Sequence, residues 1–330
     1  MTLDLNTRLL AGVLFSALFL TACTTAPQTR ALVSSAPPGL APAIELTETP
    51  FYPQQQYQCG PAALATVLAA HAVRVTPEEL VDAVYVPALH GSLPEEITAT
   101  ARRYQMLAYP LSASLQALLT EVAHGNPILV MQNLGTDWFQ NWHFAVVVGF
   151  DLEKQQLILR SGTRKRWHTS LATFERTWSR SDYWALVILP AGEVPASARL
   201  APYLQAAHDL EASAQTDAAL SAYQAATQRW PNEPHAWMTY GNSLFGMSNN
   251  IEASAAFLQV TRLTPDDARG WNNLAYALLQ SGCPQQAKQA AGCAVKFGAG
   301  DTNYKDTLAE IEQLAQGTDQ PQCIAVTCEK

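Results

Sequence analysis

A period of 34 residues in the C-terminal part of the sequence constrains the fold more than any other feature. The matched pairs are Trp237 with Trp271, Gly241 with Ala275, Ala253 with Ala287, and Pro231 with Pro265, each 34 residues apart. One period further upstream lie Tyr203, Ala207 and Ala219, and another shared position holds Tyr223, Phe257 and Ala291. Small residues let paired helices approach closely, aromatic residues fill the space between pairs, and proline ends the second helix of each unit. The pattern predicts stacked helix pairs that bury a core only by packing on their neighbours.

These repeats resemble tetratricopeptide repeats, and three units fit between about residues 200 and 301. The third unit carries Ala299 where the other two carry proline. The amphipathic segment NYKDTLAEIEQLA is expected to cap the open end, which gives a repeat domain over 200–315 and a cysteine-containing tail over 316–330. The concave face of such an array usually holds a peptide or a partner protein, although a spacer or a dimerisation element is the alternative.

The N-terminal half, separated from the repeats by residues 189–202, has a different pattern. A helix is predicted from about Pro61 to His71, and further helices in TPEELVDAVYV, SLPEEITATARRYQ and SLQALLTEVAHG. Strand-like runs follow, namely PILVMQ, HFAVVVGFD, QQLILR, RWHTS and YWALVILP. Helices followed by an antiparallel sheet are typical of an α+β domain, which we predict over residues 46–190.

Residues 1–23 have the pattern of a targeting signal. Arg8 precedes an apolar stretch over residues 9–23, which is shorter than the ~20 apolar residues of a membrane span. Residues 20–23, Leu-Thr-Ala-Cys, resemble a bacterial lipobox, in which Cys23 is lipidated and becomes the new N-terminus; an ordinary secretory signal is the alternative. Thr24, where inner-membrane retention usually requires Asp, favours the outer membrane, facing the periplasm. Residues 24–45, rich in Thr, Ala and Pro, are predicted to form a flexible tether.

The cysteine positions agree with an oxidising compartment. Four of the six cysteines lie near the C-terminus, at Cys283, Cys293, Cys323 and Cys328. They predict two disulfides whose connectivity the sequence leaves open, and the rival metal site lacks a CxxC pair or a nearby histidine. Cys59 remains without a partner, so its thiol is expected to be either buried or used chemically.

Cys59 and His143 are the candidate catalytic pair. Cys59 lies directly before a helix with Pro61 near its first position, so unpaired backbone N–H groups and the helix dipole are expected to lower the pKa of its thiol. His143 opens the strand HFAVVVGFD and is the candidate general base. Gln54 is the candidate oxyanion donor, with Gln55, Gln56 and Gln58 as rivals. The remaining histidines are expected to be structural or solvated: His71, His90, His124, His168, His208 and His235.

The segments PQQQYQCGPAALATVL and NWHFAVVVGFD resemble the bacteriocin-processing, double-glycine peptidases, which are cysteine peptidase family thirty-nine. GSLPEEITATARRYQ and GNPILVMQ also resemble parts of that family, and the similarity covers about residues 50–190. The resemblance implies a papain-like fold in which Cys59 is the nucleophile, His143 the general base and Gln54 the oxyanion-hole glutamine.

One position departs from that family. An Asp on the strand after the histidine strand orients the imidazole in the family, whereas this strand reads QQLILRSGT and offers Ser161. Ser161 is expected to accept a hydrogen bond from Nδ1–H of His143, without the charge that stabilises an imidazolium. Asp151 is an alternative acid, but an extended strand would place it about 25 Å from His143.

The leading functional hypothesis is a lipid-anchored cysteine peptidase of the bacterial cell envelope, with repeats that bind its substrate or a partner protein. A catalytically weak or inactive peptide-binding or assembly lipoprotein is the second hypothesis, and a thiol amidase or acyltransferase is the third. No cofactor or metal is expected. Because the net charge is −8, we expect no binding to nucleic acid, and membrane contact through the lipid anchor only.

Overall fold

The computed structural model describes residues 26–35, 37–54, 58–136, 138–314, 317 and 323–328. The targeting signal and Cys23 lie outside the described residues, as do Gln55 and Gln56, so the expectations for them remain predictions. No helix among the described residues is long and apolar enough to cross a bilayer.

The N-terminal half contains six α-helices and nine strands within the described residues. The helices are α1 Pro27–Ser34, α2 Cys59–Ala70, α3 Pro77–Val84, α4 Pro94–Arg103, α5 Leu115–Ala123 and α6 Leu171–Ser179. The strands are β1 Ala43–Glu45, β2 Tyr85–Val86, β3 Gly91–Ser92, β4 Met106–Pro110, β5 Ile128–Asn133, β6 Trp142–Asp151, β7 Gln156–Ser161, β8 Arg164–Ser170 and β9 Ala185–Pro190. At the start of α3, Thr76 and Glu79 form a capping box.

An antiparallel sheet runs in the order β4-β9-β5-β6-β7-β8, and β1 pairs with β6 beside it. Strand β6 begins where β5 ends, since Trp142 lies opposite Asn133 and His143 opposite Gln132. The hairpin of β7 and β8 turns at the same end of the sheet, with Ser161 opposite Arg164. We call this end, which carries His143 and Ser161, the cleft end of the sheet.

Helices cover both faces of the sheet, so its inner strands are apolar on both sides, whereas the edge strand β8 is polar and exposed. Helices α2, α3 and α4 pack on one face, where Leu64 and Leu68 lie in one buried cluster with Phe144 and Val146. Helices α1, α5 and α6 pack on the other face, around Trp178. The predicted α+β architecture is confirmed.

Residues 27–34 are helical and docked, which differs from the flexible tether expected over 24–45. Helix α1 buries Thr29 and Leu32. The buried carboxylate of Glu175 accepts hydrogen bonds from the backbone N–H groups of Gln28, at 2.9 Å, and Thr29, at 2.7 Å. These are N–H groups of the first turn, which no residue within a helix can satisfy, so Glu175 caps α1 from another part of the chain. Composition alone did not reveal this partner.

The described part of the C-terminal half contains seven helices. They are α7 Leu200–Ala212, α8 Thr216–Arg229, α9 Pro234–Gly246, α10 Asn250–Leu263, α11 Ala268–Gln280, α12 Pro284–Phe297 and α13 Thr302–Leu314. A Cβ added to Gly241 would lie 2.6 Å from the ring of Phe257, which explains the small residue in that repeat position. The indole N–H of Trp237 donates to the carbonyl of Pro231, so the tryptophan of one unit holds the end of the unit before it. The 34-residue period therefore reflects direct contacts between its repeated residues.

The first repeat helices pack against the sheet domain. The hydroxyl of Tyr203 on α7 donates to the carbonyl of Glu193 at 3.1 Å. The fully buried carboxylate of Glu121 on α5 accepts from the backbone N–H of Ser197 at 2.6 Å. Residues of α7 and α8 also share a buried cluster with the sheet, so the connection between the halves is packed and hydrogen-bonded.

The C-terminal tail lies against the last repeat. Disulfides join Cys283 to Cys323 and Cys293 to Cys328. Val326, between the two bonded cysteines, is buried, so the tail contributes to the core of the array. Of the three pairings that four cysteines allow, the structure has this one.

Replacing Glu175 with Ala should release helix α1, because two buried N–H groups would lose their acceptor. We expect a loss of about 1–3 kcal/mol in the free energy of unfolding and faster proteolysis within residues 27–34. Denaturant unfolding and limited proteolysis measure these effects, with the exposed Glu153→Ala as the matched control. Equal stability and protection in the two variants would contradict the capping role.

Candidate active site

Cys59 is the first residue of α2, and the packing of β3 explains the glycine that follows it. A Cβ added to Gly60 would lie 2.2 Å from Oγ of Ser92 on β3. Only glycine therefore allows β3 to approach the start of α2 so closely. The Cys-Gly-Pro sequence thus places the thiol at a helix start covered by another segment.

The thiol of Cys59 is largely shielded from water, and several backbone N–H groups donate hydrogen bonds to it. Burial raises the pKa of the Cys59 thiol, while hydrogen bonds from the backbone N–H groups of Phe144, Gly60 and Cys59 itself act in the opposite direction. The expected lowering of this pKa by the helix start is therefore wrong in its net direction. Desolvation of the thiolate outweighs the N–H donors, because a charged sulfur loses more solvation than these donors return.

The imidazole of His143 lies at the cleft end of the sheet, near the end of β7. Its Nε2 lies 2.8 Å from Oγ of Ser161, so the imidazole is hydrogen-bonded to the serine for which the sequence predicted such a contact. We expected Nδ1 at this contact, and the structure corrects that expectation: β7 lies beside the Nε2 edge of the ring. Nδ1 is the nitrogen left for the thiol. Burial also lowers the pKa of His143, which favours the neutral imidazole.

Cys59 and His143 line the same cavity, of about 750 Å³. The structure therefore brings together the two residues that the sequence singled out, although they lie far apart in the chain. Gln54 and Phe144 also line this cavity. Ser161 lies behind His143, on a second groove of about 480 Å³ that Arg164 and Trp167 also line.

Asp151 does not replace the missing acid. It ends β6 at the far end of the sheet, where its carboxylate accepts hydrogen bonds from the backbone N–H and Nζ of Lys154. Eight residues of extended strand separate it from His143, or about 26 Å. The acid position near the imidazole is occupied by Ser161.

The side chain of Gln54 connects β6 to the turn that follows β7. Its Nε2 donates to the carbonyl of Phe144 at 3.3 Å, and its Oε1 accepts from the backbone N–H of Gly162 at 3.1 Å. An amide nitrogen carries two hydrogens, so a second N–H remains for an oxyanion in the cavity. Of the rival glutamines, Gln58 precedes α2 and its side chain does not cap the helix.

One histidine outside the expected pair also belongs to the cavity wall. His90, which the sequence placed in a loop, lines the cavity with Ser92 and Leu93. Oγ of Ser92 is buried without a hydrogen-bond partner in the described part of the chain. Sequence reasoning missed these residues, because only the packing of β3 on α2 places them beside the thiol. His71, at the end of α2, lies outside this cavity and its pKa is lowered by burial.

Within the described ranges, no group of three or more His, Cys, Asp or Glu side chains could hold a metal ion.

Comparisons with known proteins agree with this architecture. The model of the Peptidase_C39 like family matches residues 46–185. These residues are similar to that family. Two tetratricopeptide repeat models match residues 204–254 and 256–289 of the part that follows the C39-like domain. The resemblances stated from the sequence are thereby confirmed for both halves.

Two solved structures are similar to parts of the chain. A structure described as that of a C39-like peptidase from Bacillus anthracis is 16% identical, covers 44% of this chain and 97% of its own, and has a TM-score of 0.40. The first TPR of Spaghetti (RPAP3), bound to an HSP90 peptide, is 12% identical, covers 34% of this chain and 90% of its own, with a TM-score of 0.33. No curated protein matches the chain.

Ser161→Asp should increase catalytic activity. The half-buried serine borders a groove with room for a carboxylate, and a carboxylate at Nε2 of His143 would stabilise the imidazolium that forms when the thiol is deprotonated. We expect kcat/KM, or the rate of Cys59 alkylation at neutral pH, to rise on the order of tenfold.

Thr163→Asp is the matched control for this substitution, since Thr163 is exposed on the same turn. It adds the same charge near the site without facing the imidazole contact. Equal acceleration by both variants would indicate a general effect of charge, and slower reaction of Ser161→Asp would contradict the role given to Ser161.

The pH dependence of alkylation tests the charge state of the resting thiol. Since burial raises the pKa of Cys59, its rate with iodoacetamide should keep rising above about pH 8.5, the midpoint of an ordinary cysteine. The unfolded protein should give the ordinary midpoint, with the other four described cysteines held in disulfides. A folded-state midpoint below that of the unfolded chain would show a preformed thiolate instead.

Proposed function

We propose that this protein is a lipid-anchored cysteine peptidase of the bacterial cell envelope. The observation that supports it best is the shared cavity of Cys59 and His143, with the far side of the imidazole bonded to Ser161. The match of residues 46–185 to the Peptidase_C39 like family model supports peptidase chemistry in general. The anchor at Cys23 rests on the sequence pattern.

In the first half of the proposed reaction, His143 acts as general base through Nδ1. It takes the thiol proton of Cys59 as the sulfur attacks the carbonyl carbon of the substrate, so a C–S bond forms and the carbonyl oxygen becomes negative. The second N–H of the Gln54 amide and the backbone N–H of Cys59 are the proposed donors to this oxyanion. The imidazolium then gives its proton to the leaving amine, and a thioester remains on Cys59.

In the second half, a water molecule replaces the amine. His143 removes one proton from the water as its oxygen attacks the thioester carbon, and the returning proton restores the thiol when the C–S bond breaks. The products are a carboxylic acid and the free enzyme. The net reaction consumes one water molecule for each peptide bond that is cleaved.

The raised pKa of Cys59 and the lowered pKa of His143 determine the protonation states of the two side chains before the reaction. Both groups are neutral in the resting site near pH 7, so the thiolate forms only as the proton moves to the imidazole. A neutral imidazole is the form that can accept this proton. Ser161 fixes the orientation of the ring but contributes no negative charge to the imidazolium, which predicts a slower reaction than with a carboxylate at this position.

The repeats are proposed to recruit the substrate or a partner protein. Tetratricopeptide repeats typically offer an extended surface for protein partners. Since the repeats are packed against the sheet domain through α7, a bound partner would be held at a defined position relative to the cleft.

Comparison of new protein N-termini in cells tests the proposal. Cells with the wild-type protein should contain envelope peptides with N-termini that disappear in Cys59→Ala and in His143→Ala, while His168→Ala, an exposed histidine on β8, retains them. General base catalysis contributes about a hundredfold or more, so His143→Ala should fall below detection.

Other outcomes favour the other hypotheses. The same termini in wild type and Cys59→Ala would contradict peptidase activity, and stable binding of the same proteins by both would favour a binding lipoprotein. Release of ammonia or formation of new amide bonds without new termini would favour an amidase or acyltransferase.

A further inference from the structure

The loop between β5 and β6 carries two aromatic side chains that the proposed mechanism does not use. Trp138 is 90% exposed and Phe139 is 83% exposed, more than any other large apolar side chain in the described chain. We call these two residues the aromatic tip. Leu134, in the same loop, is 48% exposed. Exposure of adjacent large apolar residues is unfavourable in water and usually indicates a binding surface.

Hydrogen bonds hold the residues at the base of this loop. Oδ1 of Asn133 accepts from the backbone N–H groups of Gly135, at 3.0 Å, and Asn141, at 2.9 Å. The guanidinium of Arg180 donates to the carbonyl of Gly135 at 2.6 Å. These bonds hold the base of the loop to the sheet and to the end of α6, so the tip is presented on a fixed support.

The aromatic tip stands beside the cleft and outside it. Cys59 and His143 line the main cavity together with Gln140, Asn141 and Trp142, whereas neither residue of the tip does. A side chain that selects a substrate residue would be expected to line the cavity. The tip therefore suits a partner that lies across the mouth of the cleft.

The described chain begins at the same end of the sheet. The side chain of Gln28 donates to the carbonyl of Ala113 and accepts from the backbone N–H of Leu115, at the start of α5. Helix α5 starts just after β4, and the backbone N–H of Leu111 there donates to the carbonyl of Ala185. Ala185 pairs with Val130 on β5, whose strand then continues to the cleft end. Helix α1 thus starts near the cleft end.

The distance from Cys23 to this point is short. Only three residues, 24–26, separate Cys23 from Pro27, and a fully extended chain spans at most about 14 Å over four residue steps. Because Glu175 holds the first turn of α1, a lipid on Cys23 would keep the cleft end close to the bilayer surface.

We propose that the cleft end faces the lipid bilayer and that the aromatic tip inserts into its interfacial region. The proposal rests on the lipid anchor of the proposed function. Tryptophan and phenylalanine favour the membrane interface, where an apolar ring is buried and a polar edge stays hydrated. Arg164 and Lys165, exposed on the hairpin at the same end, add attraction to anionic headgroups. In this orientation, the substrates that reach the cleft are peptide segments close to the membrane surface.

Solvent access to a labelled aromatic tip tests the orientation. The lipidated full chain, with Phe139→Cys in a Cys59→Ala background, carries an NBD fluorophore at position 139 and is placed in phosphatidylethanolamine–phosphatidylglycerol vesicles. Dithionite added outside should reduce this label about tenfold more slowly than a label at Ile251→Cys, and the emission at position 139 should shift to the blue. Ile251 is 55% exposed on α10 of the repeats and serves as the matched control.

Equal reduction rates at the two positions in lipidated protein would overturn the orientation and leave the peptidase proposal intact. Absence of lipid on Cys23, shown by mass spectrometry, together with absence of vesicle binding, would overturn the orientation and the anchor together. If intact Cys59 cleaves no peptide, the peptidase proposal fails, while the labelling result still decides the orientation.

The double substitution Trp138→Ser and Phe139→Ser separates membrane contact from substrate binding. Cleavage of a soluble fluorogenic peptide, designed from a new terminus, should be unchanged, whereas cleavage of the same peptide tethered to vesicles should fall about tenfold. Ile251→Ser should change neither rate. An equal loss with both substrates would show that the tip binds the peptide, and would contradict the membrane role.

Discussion

The packing of α2 on β6 is the contact on which the rest of the site depends. Leu64, Val67 and Leu68 of the helix bury themselves with Phe144 and Val146 of the strand, and this contact sets Cys59 above the start of β6. The alanines of α2 keep the helix close to the strand, since a larger side chain would hold the two apart. Loss of this contact would separate the thiol from the imidazole even if both local structures formed.

The same contact also determines the electrostatics of the site. Packing removes water from the thiol and from the imidazole, which raises the pKa of Cys59 and lowers the pKa of His143. A carboxylate beside the imidazole would oppose the second effect, and Ser161 supplies a hydrogen bond without a charge. The site therefore favours two neutral groups at rest and forms charge only during the reaction. Such a pair requires a good orientation of the imidazole, which β7 provides through Ser161.

Much of this arrangement could be predicted from the sequence, because it depends on periodic or local patterns. The 34-residue period identified the repeats, and the apolar runs identified β5, β6, β7 and β9 within a few residues. The short strand β4 and the docked helix α1 were missed. Strand β4 is defined by its pairing with β9, and α1 by a carboxylate almost 150 residues away, at Glu175.

The positions of Cys59 and His143 could also be predicted, whereas their charge states could not. A helix start suggests a lowered thiol pKa, but the net effect depends on how much water the folded chain removes, which local sequence does not show. The nitrogen of His143 that meets Ser161 depends likewise on which edge of the ring β7 approaches. His90 and Ser92 joined the cavity through the packing of β3, a segment of two residues with no strand pattern of its own.

The most direct test of a working Cys59–His143 site is the detection of its covalent intermediate. The full chain is mixed with a cleavable peptide and quenched with acid at short times, and the fragment that contains Cys59 is analysed by mass spectrometry. The account predicts that Cys59 carries the N-terminal part of the peptide as a thioester, which hydroxylamine removes and which Cys59→Ala lacks. Cleavage of the peptide with no adduct on Cys59 at any time, at the same rate in Cys59→Ala, would contradict it.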